Sequence, residues 1–218
     1  MRQQDANTVD IWDVDLATGA HINPGDFASI LSDDELRQAR QFRFASDRHR
    51  YCVARFVLRS LLAHYTMRTP QSIRFSYGRY GKPQLMLEDL QQDVRFNVSH
   101  THTRALFAFT RHDDVGIDIE HVRQGFPVLD IARSHYGEAE CALLTHSPEH
   151  EQQLLFFDIW VRKEAVIKAT GFGMSLDFTA FDVLPIPVST LNVRHEWRTH
   201  TVTLQQLDIG NDFAAAVA

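Results

Sequence analysis

The sequence predicts an α+β fold: two similar α/β lobes related by a pseudo-twofold, spanning 1–112 and 113–218, with the active site where they meet. Three observations carry this. The apolar pattern runs strand, helices, strands, and repeats that order in the second half without any residue-level repeat. No Gly-, Ser- or Pro-rich linker separates the halves, so they should share an interface, a common place for a ligand. A chain of 218 residues is long enough to bury roughly 70–75% of its unfolded surface.

Val9–Leu16 alternates apolar and polar residues and reads as a strand with one buried face. Ser32-Asp33-Asp34-Glu35 is a capping box that opens a helix running to about Phe44. Ser46-Asp47 caps a longer helix whose stripe is Val53, Phe56, Val57, Leu61 and Leu62, ending near Tyr65. Strands follow at Ile73–Tyr77, Arg95–Ser99 and Ala105–Thr110, with Gly78 and Gly81-Lys82-Pro83 marking turns. The second half opens with a strand at Val115–Glu120, then short helices at Val128–His135 and Glu138–Leu144. Gln152–Thr170 is a strong helix stopped by Gly171, and the chain returns to strands at Asp182–Leu184, Thr201–Leu207 and Phe213–Val217.

Composition excludes several classes. Hydrophobic residues at 44% and charged residues at 23% are ordinary globular values, so disordered and fibrous chains are out. Apolar runs such as Leu154–Phe157 are far too short to span a membrane. Met1–Asp5 shows no apolar signal-peptide region, and Cys52 and Cys141 give neither a disulfide framework nor metal spacing. A cytoplasmic protein is expected. The net charge of −6 is unevenly spread: 1–112 holds 15 basic and 12 acidic residues, 113–218 holds 7 and 16. Between Leu36 and Leu87 there are 11 basic residues and one acid, Asp47, which predicts affinity for phosphate. The acidic second half argues against a nucleic-acid coat, so a small phosphorylated ligand fits better. Of the 22 basic residues only Lys82, Lys163 and Lys168 are lysines. Ammonium is a compact point charge that can exchange a proton where guanidinium cannot, so these three are the first places to look for chemistry.

Two motifs stand out. In Val115-Gly116-Ile117-Asp118-Ile119-Glu120, strand alternation sends Gly116, Asp118 and Glu120 to one face, an oxygen-ligand platform for a hard cation such as Mg²⁺. On the strong helix, Trp160, Glu164 and Lys168 fall at i, i+4 and i+8 on one face. Charges on so apolar a helix need water, a partner or a metal, and Glu164 would complete a three-carboxylate site that Lys168 faces. Phe96-Asn97-Val98-Ser99-His100-Thr101 offers a hydroxyl and an imidazole to a phosphate at a strand end. Its His100-x-His102 spacing lacks companion ligands for zinc, and adjacent strand residues are a poor nucleophile pair.

Val-Gly-Ile-Asp-Ile-Glu followed, with 41 residues intervening after Asp118, by Trp-Val-Arg-Lys-Glu-Ala-Val-Ile-Lys resembles the paired signature of the 4′-phosphopantetheinyl transferases. Gly81-Lys82-Pro83 and Phe96–His100 resemble two further motifs of the larger, surfactin-synthetase-activating type. The resemblance orders four motifs over 81–168. It implies a monomer with coenzyme A and Mg²⁺ (or Mn²⁺) in the cleft between two lobes, and an apo acyl or peptidyl carrier protein as acceptor. The carrier serine would attack the β-phosphorus of coenzyme A and release 3′,5′-ADP. Carried over by motif, Asp118, Glu120 and Glu164 bind the metal, Lys168 steadies or protonates the leaving phosphate, and Glu164 helps deprotonate the serine. Lys163 and His100 would contact phosphates, and Lys82 and Ser99 would line the nucleotide pocket. Position 161 is Val where the family favours a small or hydroxylated residue, and Arg37, Arg40 and Arg50 stand in for the family's basic pair.

Two other classes compete. A metal-dependent phosphodiesterase or nuclease would want a lysine two residues after its second acid, but His121 and Val122 follow Glu120. A non-catalytic coenzyme A-binding module would be marked by loss of a metal acid or of Lys168, and none is lost. Arg123–Gln152, between the two signatures, is a reasonable docking surface for the carrier, while most of its apolar residues, such as Phe126, Val128, Leu129 and Leu143, read as local core.

Overall fold

A computed structural model describes residues 8–17, 24–86 and 93–218. The N-terminal Met1–Asp5 therefore lies outside the described residues. The chain runs β1 (Asp10–Asp15), α1 (Pro24–Ile30), α2 (Asp33–Gln41), α3 (Ala45–Thr66), β2 (Phe75–Tyr77), β3 (Pro83–Leu85), β4 (Val94–Thr101) and β5 (Arg104–Arg111). It continues with β6 (Ile117–His121), α4 (Val128–His135), α5 (Glu138–His146), α6 (Glu149–Thr170), β7 (Val188–His195), β8 (Arg198–Leu207) and β9 (Phe213–Val217).

The two halves have the same plan. Each opens with a strand, passes through two short helices into a 22-residue helix, and closes with antiparallel strands. In each, the first strand pairs with the last: β1 with β5 in the sheet β1-β5-β4, and β6 with β9 in the sheet β6-β9-β8-β7. A separate hairpin joins β2 to β3. Among the described residues no helix is long and apolar enough to cross a membrane.

Apolar periodicity explains the layers. In the first lobe Leu58 and Leu62 of α3 pack on Phe96, Phe107 and Phe109 of the sheet. In the second, Phe156, Val161, Ala165 and Val166 of α6 pack on Val202, Leu204, Ala214 and Ala216, and on α4 and α5. A third cluster closes the seam between lobes: Leu106 and Ala108 of β5 against Val115, Ile117, Ile119, Ala215 and Val217. Beside it, side chains of β4 take up backbone groups of β6. Asn97 Oδ1 accepts from Ile117 N at 2.8 Å, and Ser99 Oγ accepts from Ile119 N at 3.4 Å.

Several boundaries differ from the sequence reading. Ser32 and Glu35 do form a capping box on α2, but α3 starts at Ala45 with Phe44 as an N-cap that makes no side-chain bond. The expected strand at Ile73 begins only at Phe75, because Ile73 ends a 3₁₀ turn at Pro70–Ser72. The β4 strand runs on to Thr101, so Ser99 and His100 sit within it rather than at its end. Asp182–Leu184 is not a strand. Pro185 and Pro187 lack the N–H a ladder needs, and the carbonyls of Val183 and Pro185 are taken by Arg162. The strand lies further on, at β7, which the sequence reading missed along with α1 and β3.

Candidate active site between the lobes

The strand β6 and the helix α6 build the site. Gly116 lies directly under α6: a Cβ there would stand 2.0 Å from Ala165 O and 2.3 Å from Ala169 N. Its missing side chain therefore lets the helix seat, and this contact turns the Asp118–Glu120 face of β6 toward the Glu164–Lys168 face of α6. The opposite face of β6, with Ile117 and Ile119, fills the seam cluster. Asp118, Glu120, Glu164, Lys168, Trp160 and His100 then line one open cleft of about 380 Å³.

At its floor Asp118 is buried. Its Oδ1 accepts from Lys168 Nζ at 2.6 Å and from Ser99 Oγ at 2.7 Å. Its Oδ2 is buried without a hydrogen-bond partner. Lys168 Nζ also donates to Ser99 Oγ at 3.1 Å and to Ile117 O at 3.3 Å. Burial raises the carboxyl groups of Glu120 and Glu164 above their ordinary range, and the neighbouring Asp118 carboxylate raises both further. His100 is held below its usual value by its protein surroundings, then by the positive charges of Lys168 and Arg50.

A second cavity of about 500 Å³ adjoins this cleft through Val98 and His100 and is walled by Arg50, Tyr51 and Arg55 of α3. Arg50 pairs with Asp47, and Arg55 pairs with Glu35, which also binds Arg59 at 2.6 Å. A third of about 300 Å³ lies under the β2–β3 turn, between Tyr80, Lys82 and the Glu164–Lys168 face. A pocket walled by Arg50 and Arg55, a three-carboxylate cleft and a recess under the β2–β3 turn thus follow one another along β4, which suits an elongated phosphorylated ligand.

Residues 114–218 match the family model described as "4'-phosphopantetheinyl transferase superfamily", and residues 25–111 match one described as "4'-phosphopantetheinyl transferase, N-terminal". The 4'-phosphopantetheinyl transferase HetI of Nostoc sp. is 33% identical over 194 residues, covering 88% of this chain and 80% of that protein. The chain belongs to the 4′-phosphopantetheinyl transferase family. The 4'-phosphopantetheinyl transferase Sfp of Bacillus subtilis is 33% identical over 158 residues, 72% of this chain and 67% of that protein. A Rattus norvegicus relative, L-aminoadipate-semialdehyde dehydrogenase-phosphopantetheinyl transferase, is 27% identical over 180 residues, 77% of this chain and 58% of that protein. The chain is accordingly an enzyme that transfers phosphopantetheine to carrier proteins, and neither the nuclease nor the non-catalytic reading is favoured.

For this phosphopantetheinyl transferase, one sequence expectation needs correction. Lys163 does not reach the cleft. It is fully buried, pairs with Glu140 at 2.8 Å, and donates to the carbonyls of Phe178 at 2.7 Å and Phe181 at 2.5 Å. Position 163 follows the inward turn of the helix, so its ammonium ties α6 to α5 and the 178–181 segment. Lys82 lines the third cavity, and its ammonium donates to Val115 O at 3.0 Å and to Ala169 O at 3.2 Å. Ser99 lines the floor of the cleft, where it donates to Asp118 Oδ1 at 2.7 Å. His102, at φ 50°, stacks on His121 with centroids 4.3 Å apart. Arg37 pairs with Asp34 on the surface. Sequence reasoning missed Arg55, five residues beyond Arg50 on the same cavity wall, and Glu140, whose partner Lys163 is too distant in sequence to suggest it.

Proposed function

We propose that coenzyme A lies along the three joined cavities, its nucleotide phosphates toward Arg50 and His100 and its diphosphate beside Lys168. The acceptor is a serine of an apo acyl or peptidyl carrier protein. The serine oxygen bonds to the β-phosphorus, the bond from that phosphorus to the bridging oxygen breaks, and 3′,5′-ADP leaves. The observation that carries this reading is the convergence of Asp118, Glu120, Glu164, Lys168 and His100 on one cleft.

Asp118, Glu120 and Glu164 would hold Mg²⁺, with Mn²⁺ as a substitute. Among the described residues no three His, Cys, Asp or Glu side chains form a ready-made metal cage. The donor set nevertheless suits a hard cation: it is all carboxylate oxygen, Asp118 Oδ2 is buried and unpartnered, and Glu120 and Glu164 hold their protons more tightly beside the Asp118 charge. When bound, such a cation supplies charge neutralisation at the transferred phosphoryl group.

The remaining work falls to side chains of this chain. Lys168 places an ammonium where the leaving phosphate gathers charge, and it can give that phosphate a proton. Glu164, its basicity raised by burial and by Asp118, accepts the serine proton directly or through a water. His100, held below its usual value by desolvation and then by Lys168 and Arg50, is the imidazole placed to meet the anionic nucleotide. Arg50 holds a nucleotide phosphate and turns away from Asp47 to do so. In this reading 1–112 is the nucleotide-side lobe and 113–218 the metal and catalytic lobe, and the enzyme works as a cytoplasmic monomer without nucleic acid or membrane. Incubating the protein with coenzyme A, Mg²⁺ and an apo carrier should add one phosphopantetheine arm to the carrier by mass spectrometry. Coenzyme A consumption without carrier modification would overturn the proposal.

A further inference from the structure

The β2–β3 turn crosses from one lobe to the other and ends on the C-terminal turn of α6. That helix stops at Thr170 with Gly171 in the left-handed region at φ 70°, so its last carbonyls lack partners within the helix. One of them, Ala169 O, is met by Lys82 Nζ, a cation from a segment 87 residues earlier. A positive charge there also complements the negative end of the helix dipole. The same ammonium binds Val115 O, the carbonyl just before Gly116. Tyr80 packs on the chain beyond the helix, where a Cβ at Gly173 would come within 2.7 Å of Tyr80 Cβ. Three stretches of chain are thus fastened by one turn, and two of them adjoin the chemistry. Ala169 follows Lys168. Val115 and Gly116 lead into Ile117 and Asp118, which Lys168 touches.

We infer that Lys82 is a positioning residue: its ammonium clasps the end of α6 to the start of β6, and so sets Lys168 against Asp118. It does this through the backbone carbonyls of Val115 and Ala169. The inference rests on the reading of Lys168 and Asp118 as part of the reacting centre. A clasp differs from a ligand contact in what its loss disturbs. Removing a phosphate contact weakens coenzyme A binding, whereas loosening α6 leaves the binding walls of α3 and β4 in place and misplaces the groups that act in the transition state.

The test uses the intact enzyme with coenzyme A, Mg²⁺ and a carrier protein, well below the melting temperature. Lys82→Met keeps the stem and removes the ammonium. It should lower kcat by about 10- to 100-fold, as displacement on the order of an ångström does, while KM for coenzyme A moves by no more than about twofold. Lys82→Arg should recover most of kcat, because guanidinium can also donate to both carbonyls. A raised KM for coenzyme A with kcat held would make Lys82 a ligand contact and overturn the inference, as would unchanged kcat in Lys82→Met. Should Lys82→Met fail to fold, Lys82→Arg decides alone: near-parental kcat and KM support the clasp, and a raised KM overturns it. Asp118→Asn measured in parallel keeps the failures apart. Full activity there would overturn the reading of the acid cleft, whereas normal Lys82→Met beside inactive Asp118→Asn would overturn only the clasp.

Discussion

Lys168 stands 2.6 Å from Asp118 Oδ1 while also touching Ser99 and Ile117 O, so its head fits a space shaped for an ammonium. Guanidinium is broader and does not give up its proton. Lys168→Arg should therefore fail almost as badly as Lys168→Ala, with turnover down roughly 10²-fold or more and coenzyme A binding retained by calorimetry; full activity would show that charge alone suffices. Asp118→Asn keeps the shape of the buried side chain and removes its charge. It should cost on the order of 10²-fold or more in kcat, as losing an electrostatic stabiliser does, with an unchanged circular dichroism spectrum. Glu120→Ala should be milder, because Glu120 lies at the partly exposed rim and water can replace one oxygen ligand. The scarcity of lysine pointed to positions that matter, but for two reasons. Lys168 serves the cleft, whereas Lys163 and Lys82 use a compact head with three donors to gather backbone carbonyls. Residue type alone does not separate these uses, since the carbonyls involved come from segments far away in sequence.

At the scale of elements, what was legible followed from local period. The two-residue alternation of β6 and the four-residue spacing on α6 each fix a face, and together they put Asp118, Glu120, Glu164 and Lys168 in one cleft. What was not legible depends on tertiary partners: the irregular 182–187 segment exists as a receptor for the buried Arg162, which donates to Val183 O at 2.8 and 2.9 Å, to Pro187 O at 2.9 Å and to Ser189 Oγ at 2.7 Å. Near it on α6, Asp158 is pushed up to about 6 by burial, against the pull of Arg162, and accepts from Gln206 of β8 at 2.5 Å. The folded state thus binds the Asp158 proton more tightly than the unfolded chain does. Its contribution to stability is full below about pH 4 and is lost as pH rises through about 6, a change on the order of 1–3 kcal/mol. Asp158→Asn, which keeps an acceptor for Gln206, should remove this dependence. Melting temperatures of variant and parent should diverge in the variant's favour between pH 4.5 and 7.5, and a constant difference across that range would contradict the assignment.

For the molecule as a whole, the seam between lobes sets the width of the cleft. Leu106 is fully buried there against Ile117 and Val217. Leu106→Ala should cost about 2–5 kcal/mol by leaving a cavity, read as a fall in denaturation midpoint. Arg50 is not part of that seam cluster and stands on the wall of the α3 cavity. Arg50→Glu should leave the midpoint nearly unchanged while raising KM for coenzyme A more than KM for the carrier, and an equal rise in both would remove Arg50 from the nucleotide site. The close passage of α6 over Gly116 has a consequence for mutational tolerance. In a saturation library selected for activity alone, position 116 would look as intolerant as Asp118, although the glycine meets only helix backbone. Reading cellular abundance alongside activity would split the motif into two classes. Every substitution at Gly116 should deplete the protein itself, while Asp118→Asn should leave it plentiful and inert.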